Sequence, residues 1–228
     1  NSFGKEGAKL LEPYSDIIGT SLGWKAGKTE WDISGKGLTD ASMPLIELLL
    51  SKSTELETLN MSKNKIGDKG MKMLSDILPK MKKLKVLYLD TNKIGDQGME
   101  TLSKVLPEMK GLTNLGVLGN SFGKEGAKLL EPYSDIIGTS LGWKAGKTEW
   151  DISGKGLTDA SMPLIELLLS KSTELETLNM SNNNIADQGM ETLSNVFKKM
   201  KKLTELNVLE NSFGKEGAKL LEPYSDII

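Results

Sequence analysis

Residues 1–62 recur without a change as residues 120–181, and the first 18 of them return a third time as 211–228. Beneath these copies runs a looser period of 28 residues: LETLNMSKNKIGDKG opens at Leu56, LKVLYLDTNKIGDQG at Leu84 and LTNLGVLGNSFGKEG at Leu112. The pattern resumes at Leu175 and Leu203, and a degenerate form, TEWDISGKGLTD, stands at Thr29 and Thr148. Self-similarity at such a period marks a repeat array, in which a unit buries its apolar side only against its neighbours.

Each unit changes its own periodicity partway through. Leu59 and Met61 alternate with Thr58, Asn60 and Ser62, the period of two that a strand requires. A turn with Asn64 follows, then Asp68, a residue suited to capping a helix. Gly70, Leu74, Leu78 and Met81 then fall three or four apart, the apolar stripe of a helix. Pro79 and Pro107 mark its end or a kink.

Aligned, the units form columns. A first core column reads Trp31, Leu59, Leu87, Leu115, Trp150, Leu178 and Leu206, and a second Ile33, Met61, Leu89, Val117, Ile152, Met180 and Val208. A turn column holds Phe3, Leu38, Ile66, Ile94, Phe122, Leu157, Ile185 and Phe213. An asparagine column runs Asn1, Lys36, Asn64, Asn92, Asn120, Lys155, Asn183 and Asn211. Buried asparagines stacked this way are expected to satisfy the backbone groups freed where each strand ends.

The pattern L-x-x-L-x-L-x-x-N-x-I closely resembles the leucine-rich repeat, and its length and full helix resemble the ribonuclease-inhibitor-like class. The resemblance covers essentially the whole chain. It implies an α/β fold: one right-handed solenoid, or horseshoe, over residues 1–228, with a parallel β-sheet on the concave face and α-helices on the convex face. Two features depart from the class. Its units alternate between 28 and 29 residues with cysteine common in the asparagine column, whereas this chain has no cysteine. The unit from Leu115 to Trp150 also spans 35 residues, seven beyond the usual 28, because GTSLGWKAGKTEW lies between helix and strand.

The copies match at exposed positions as faithfully as in the core. Two origins account for this: an engineered array of joined modules with designed curvature, or a natural intracellular recognition domain that duplicated recently. The shared segment at the two ends of the sequence leads to an expectation of end-to-end self-association. The expected localisation is the cytoplasm, or a recombinant host for an engineered chain.

Composition narrows the chemistry. Histidine is absent, which removes the commonest general base at neutral pH. Without cysteine there are no disulfides or thiolate metal sites. A net charge of −2 exerts no global pull toward nucleic acid or membrane, and no apolar run is long enough for a bilayer span. All 29 basic residues are lysine, so the arginine fork favoured for anion clamps and interface hot spots is missing. GWKAGKT at Gly23–Thr29 and Gly142–Thr148 has three residues between its glycines and leads into a strand, so it fails as a phosphate-binding loop. Asn60 and Asn179 match a glycosylation sequon but sit mid-strand. Asp40, Asp68, Asp96, Asp159 and Asp187 recur at one position, where capping of helices accounts for them. No catalysis, cofactor or metal is expected, and no nucleic-acid or membrane partner.

The resemblance implies that strand residues between the core leucines point into the concave surface. Glu30, Asp32, Asp90, Glu149, Asp151 and Glu205 stand there without one lysine, and Tyr88 is the only aromatic. Such a face would steer a basic protein, as the ribonuclease-inhibitor class meets a cationic target. The competing reading is a solvated polar face, its Glu30/Asp32 pair copied as Glu149/Asp151. A second candidate is the inserted loop, with Trp24 in Gly19–Lys28 and Trp143 in Gly138–Lys147, since insertions in solenoids map to binding edges. Its rival is geometric: tryptophan fills the volume that a longer unit opens.

Overall fold

The computed structural model describes residues 4–228, so Asn1 and Phe3, first members of their columns, lie outside the described residues. The chain divides into two compact units, Asn1–Leu130 and Glu131–Ile228. In chain order the first holds α1 (Lys5–Leu10), α2 (Ser15–Thr20), β1 (Glu30–Asp32), α3 (Met43–Ser51), β2 (Thr58–Asn60), α4 (Asp68–Leu74), β3 (Val86–Tyr88), α5 (Asp96–Val105), β4 (Asn114–Gly116) and α6 (Lys124–Leu129). The second holds α7 (Ser134–Gly138), β5 (Glu149–Asp151), α8 (Met162–Ser170), β6 (Thr177–Asn179), α9 (Asp187–Phe197), β7 (Glu205–Asn207) and α10 (Lys215–Leu221).

The strands form two parallel sheets, β1-β2-β3-β4 and β5-β6-β7, each flanked by helices that pack on their sequence neighbours. This is the α/β solenoid architecture that the columns imply. The strands fall into two sheets, one in each unit. Each sheet opens on a tryptophan-bearing strand, β1 or β5, that follows the inserted segment.

The core columns are closed. Trp31, Leu59, Leu87 and Leu115 pair in register along the first sheet, and Trp150, Leu178 and Leu206 along the second, all nearly solvent-free. From the helix stripe, Leu74 and Leu78 reach the same core with no exposed surface. Removing an apolar side chain of this size from water contributes about 2 kcal/mol. After α4 and α5 the chain tightens into short 3-10 turns at Leu78–Lys80 and Leu106–Glu108, each carrying its proline near the start.

Five asparagines tie each strand end to the repeat before it. Asn92 donates from Nδ2 to the carbonyls of Leu89 and Met61, both at 3.0 Å, while its Oδ1 accepts the Ile66 amide at 3.0 Å. Asn64, Asn120, Asn183 and Asn211 repeat the arrangement. Lys36 and Lys155 occupy this column only in the first repeat of each sheet.

The recurring aspartates do not cap their own helices. Asp68 opens α4, but its Oδ1 accepts the Gly95 amide at 2.7 Å and the Gly98 amide at 2.9 Å, which belong to the start of α5 in the next repeat. Asp40, Asp96 and Asp187 act likewise on Gly67 and Gly70, Gly123 and Gly126, and Gly214 and Gly217, and Asp159 on Ala186. The carboxylate thus complements the positive end of a neighbouring helix. It approaches so closely that a Cβ on Gly98 would fall 2.6 Å from Asp68 Oδ1, so glycine here serves contact between repeats.

The third copy of the 18-residue segment folds differently from the first two. Ser15–Thr20 and Ser134–Gly138 are helical, whereas the equivalent residues from Ser225 onward form a turn. There the Ile227 carbonyl accepts the Leu206 amide of β7 at 2.7 Å. Tyr224 donates to the Ser194 carbonyl at 3.1 Å and meets the Phe197 ring edge-on, centroids 5.7 Å apart.

Two stability measurements follow from these contacts. Asp68→Ala leaves α5 without its cross-repeat cap and should lower the unfolding free energy by about 1–2 kcal/mol, read from urea unfolding followed by circular dichroism; no loss would mean that the bond is inconsequential. Thr91 occupies the left-handed region at φ 55°, as Lys63 does at φ 57°, where Gly35 and Gly119 stand in the remaining two turns of the same sheet. Thr91→Gly should therefore raise stability by about 0.5–1 kcal/mol, and a drop in the same titration would contradict the strain argument.

Candidate interaction face

The pleat sends alternate residues of each three-residue strand to opposite sides, and the burial pattern shows which side is open. The central residue of every strand is buried and its neighbours lie on the open face, the side expected to be concave. Only Gly116 is buried among those neighbours. In the first unit this face carries Glu30 and Asp32 on β1, Thr58 and Asn60 on β2, Val86 and Tyr88 on β3, and Asn114 and Gly116 on β4. Register places Asp32 beside Asn60, Asn60 beside Tyr88, and Tyr88 beside Gly116.

Glu30 and Asp32 are exposed. Asp32 Oδ1 accepts the Ser34 amide at 2.8 Å in an Asx turn, and this bond, with help from the Ser34 hydroxyl, holds its carboxyl below the ordinary value. The acid therefore stays ionised across the neutral range. Asp90 is the opposite case. It is half-buried and accepts the Leu118 amide at 2.9 Å, yet burial outweighs that bond and pushes its pKa above the ordinary value.

The space that Asp90 occupies exists because residue 116 is glycine. A Cβ there would stand 2.0 Å from Asp90 Oδ2 and 2.8 Å from Tyr88 Cδ1. Beside this notch the Tyr88 hydroxyl accepts a bond from Asn114 Nδ2 at 3.2 Å, while Asn114 Oδ1 is buried with no partner. The sequence marks Asp90 and Tyr88 as face residues. It gives no sign of the notch, because a glycine in a strand can equally signal a bulge or a weak strand.

In the second unit Glu149 and Asp151 are exposed, and Asp151 forms the same Asx turn with Ser153 at 2.8 Å, which lowers its pKa. Glu205 lies beside Thr177 in register, and the Thr177 hydroxyl donates to it at 3.5 Å. Asn207 and Leu209 stand where the first unit has Tyr88 and Asp90, so this face has acids but no notch.

The inserted loops place their tryptophans inside. Trp24 and Trp143 are each 5% exposed. Their indole N–H groups donate to Ser53 and Ser172 at 2.9 Å, and their rings lie where a Cβ on Gly19 or Gly138 would come within 2.5 Å. Trp31 and Trp150 donate to the Leu22 and Leu141 carbonyls of the same loops at 2.9 Å. Both indoles are therefore buried within the widened unit, and neither ring is itself exposed at the edge of its loop.

Residues 52–75, 80–103 and 171–194 match the family described as Leucine Rich repeat. The chain carries leucine-rich repeats. Among solved structures it is similar to Leiomodin-1 Actin-Binding Site 2, at 13% identity over 85% of this chain and 87% of that one, with a TM-score of 0.42. It is also similar to internalin C2 from Listeria monocytogenes str. 4b F2365, at 17% identity over 94% and 80% of the two chains, with a TM-score of 0.37. No curated protein matches the sequence. Leucine-rich repeats imply a protein-binding repeat module. Among the described residues no helix is long and apolar enough to cross a membrane.

The two carboxylate environments give opposite linkages to stability. Because Asp90 has a raised pKa when folded, its contribution is fully present at low pH and is lost as pH rises from the ordinary 3.8 through the raised value. The unfolding midpoint of the parent chain should therefore fall relative to Asp90→Asn across that window. A difference between the two that stays constant with pH would refute the assignment.

Proposed function

We propose that the chain is a non-catalytic protein-binding scaffold whose first sheet receives a lysine- or arginine-bearing segment of a partner protein. The observation that carries this reading is the arrangement on the open face. Glu30, Asp32 and Asp90 stand there with no lysine among them, and an Asx turn fixes the Asp32 carboxylate. The Tyr88 ring on the same face offers a cation a π-face. Acidic residues alone steer a basic partner to the surface; an aromatic ring among them fixes where one side chain docks.

The identity of residues 1–62 and 120–181 at exposed as well as buried positions supports an engineered array assembled from modules. A natural cytoplasmic recognition domain that duplicated recently is the alternative. Synonymous codons that differ throughout the two copies would favour the first, and identical codons the second.

The binding test uses a fluorescent decalysine peptide titrated at low and moderate salt. Affinity should fall as salt rises, and the variant Glu30→Gln/Asp32→Asn/Asp90→Asn should bind about tenfold more weakly, with a shallower salt dependence. Equal affinity for parent and variant would end the proposal.

A further inference from the structure

Outside the sheet face, the largest chemical difference between the two units lies in the turns that follow their strands. The first unit carries Lys36, Lys63, Lys65 and Lys93 there and Lys69 in the first turn of α4, all exposed. The equivalent residues of the second unit, 119 positions later, are Lys155, Asn182, Asn184, Gln188 and Ser212. Backbone, core and capping pattern are shared, yet four of the five cations are replaced by neutral groups. The fold therefore does not need them.

Their surroundings leave the ammonium groups available. Lys65 and Lys93 donate the same backbone bond in successive turns, to the Leu38 and Ile66 carbonyls at 2.7 and 2.8 Å, so they stack one strand spacing, about 5 Å, apart. The nearby acids direct their hydrogen bonds to backbone amides and form no direct pair with these lysines among the described residues. Asp40, Asp68 and Asp96 hold helix amides of the following repeat, Asp90 holds the Leu118 amide, and Asp32, which feels Lys36, holds that of Ser34. Lysines at the opposite ends of the strands behave differently. Lys83 and Lys85 pair with Glu55 and Glu57 of the preceding repeat at 2.5 and 2.7 Å, and Lys202 with Glu174. No such pair forms at the turn rim among the described residues. Like charges stacked directly beside one another are unfavourable, and an anion lying across them relieves that repulsion.

We propose that this lysine rim of the first unit docks an acidic, glutamate- or aspartate-rich peptide segment of a partner protein. The inference stands on the turns alone and is independent of the proposed basic ligand of the sheet face. Three successive turns span about 10 Å, the length of three or four extended residues, so a short acidic run covers the rim. A peptide fits better than a nucleic acid, because the rim has no arginine fork to grip phosphate and no exposed aromatic on which bases stack.

The second unit supplies the test variant, since Lys63→Asn/Lys65→Asn/Lys93→Ser copies turns that the chain already folds. Fluorescent decaglutamate would be titrated into the parent, this variant, and a charge-matched control, Lys25→Asn/Lys144→Asn/Lys201→Asn, all exposed lysines away from the rim. The rim variant should bind at least about tenfold more weakly and show a flatter salt dependence, with parent-like affinity in the control. Equal weakening in both variants would reduce the effect to net charge and overturn the proposal. So would absence of binding to the parent, or tighter binding of a deoxythymidine oligonucleotide of equal charge, which would make the rim a nucleic-acid surface. The sheet-face variant should bind decaglutamate no more weakly than the parent, so the two proposals fail separately.

Discussion

Hydrogen bonds that reach from one repeat into the next are the constraint on which the rest of the structure depends. An asparagine after every strand but the first of each sheet closes carbonyls on its own repeat and the preceding one, and accepts an amide from that earlier repeat as well. In five repeats an aspartate at the helix start serves the amides of the helix in the repeat that follows. Neither residue completes its own repeat. Each leaves buried backbone groups satisfied only when a neighbour is present, and an unsatisfied buried amide or carbonyl costs about 1–3 kcal/mol. Stability within a unit is accordingly shared across junctions, as expected of arrays whose repeats do not stand alone.

Much of this architecture is legible in the sequence because burial repeats every 28 residues, so the columns name the core before any coordinate is known. Contacts between columns are harder to read. Asp68 lies at the start of its own helix, where local capping is the obvious inference; only the stacking of repeats brings its carboxylate to Gly95 and Gly98. Trp24 looks like an exposed loop residue because its segment is polar and glycine-rich, but the missing side chain at Gly19 makes room for its ring inside. Gly116 hides in the same way, since its role lies in what Asp90 and Tyr88 do with the vacant space. Division into two sheets is likewise absent from the column pattern, which continues from Leu115 to Trp150 across a longer unit.

The two units show how a common frame is given different surfaces. Core positions, the asparagine ladder and the aspartate caps are nearly the same in both. Their open faces diverge at Val86, Tyr88 and Asp90 against Glu205, Asn207 and Leu209, and their turns at the lysines described above. The exposed members of these positions meet solvent, while the backbone bonds beneath are made by partners that the two units share. Chemistry is therefore written on the open face and turn rim of each unit, with little reference to the core.

One identical segment carries a different lesson. Tyr-Ser-Asp-Ile-Ile enters a helix at two places, and at the third it unwinds to place the Ile227 carbonyl on the Leu206 amide of an outer strand. A strand left with free amides is a template for pairing with another chain, and here one of those donors is already taken. The same five residues that are helical elsewhere thus occupy one of the donors on that strand. Their conformation is chosen by the surface they meet, which makes this segment a local record of how far tertiary context overrides intrinsic propensity.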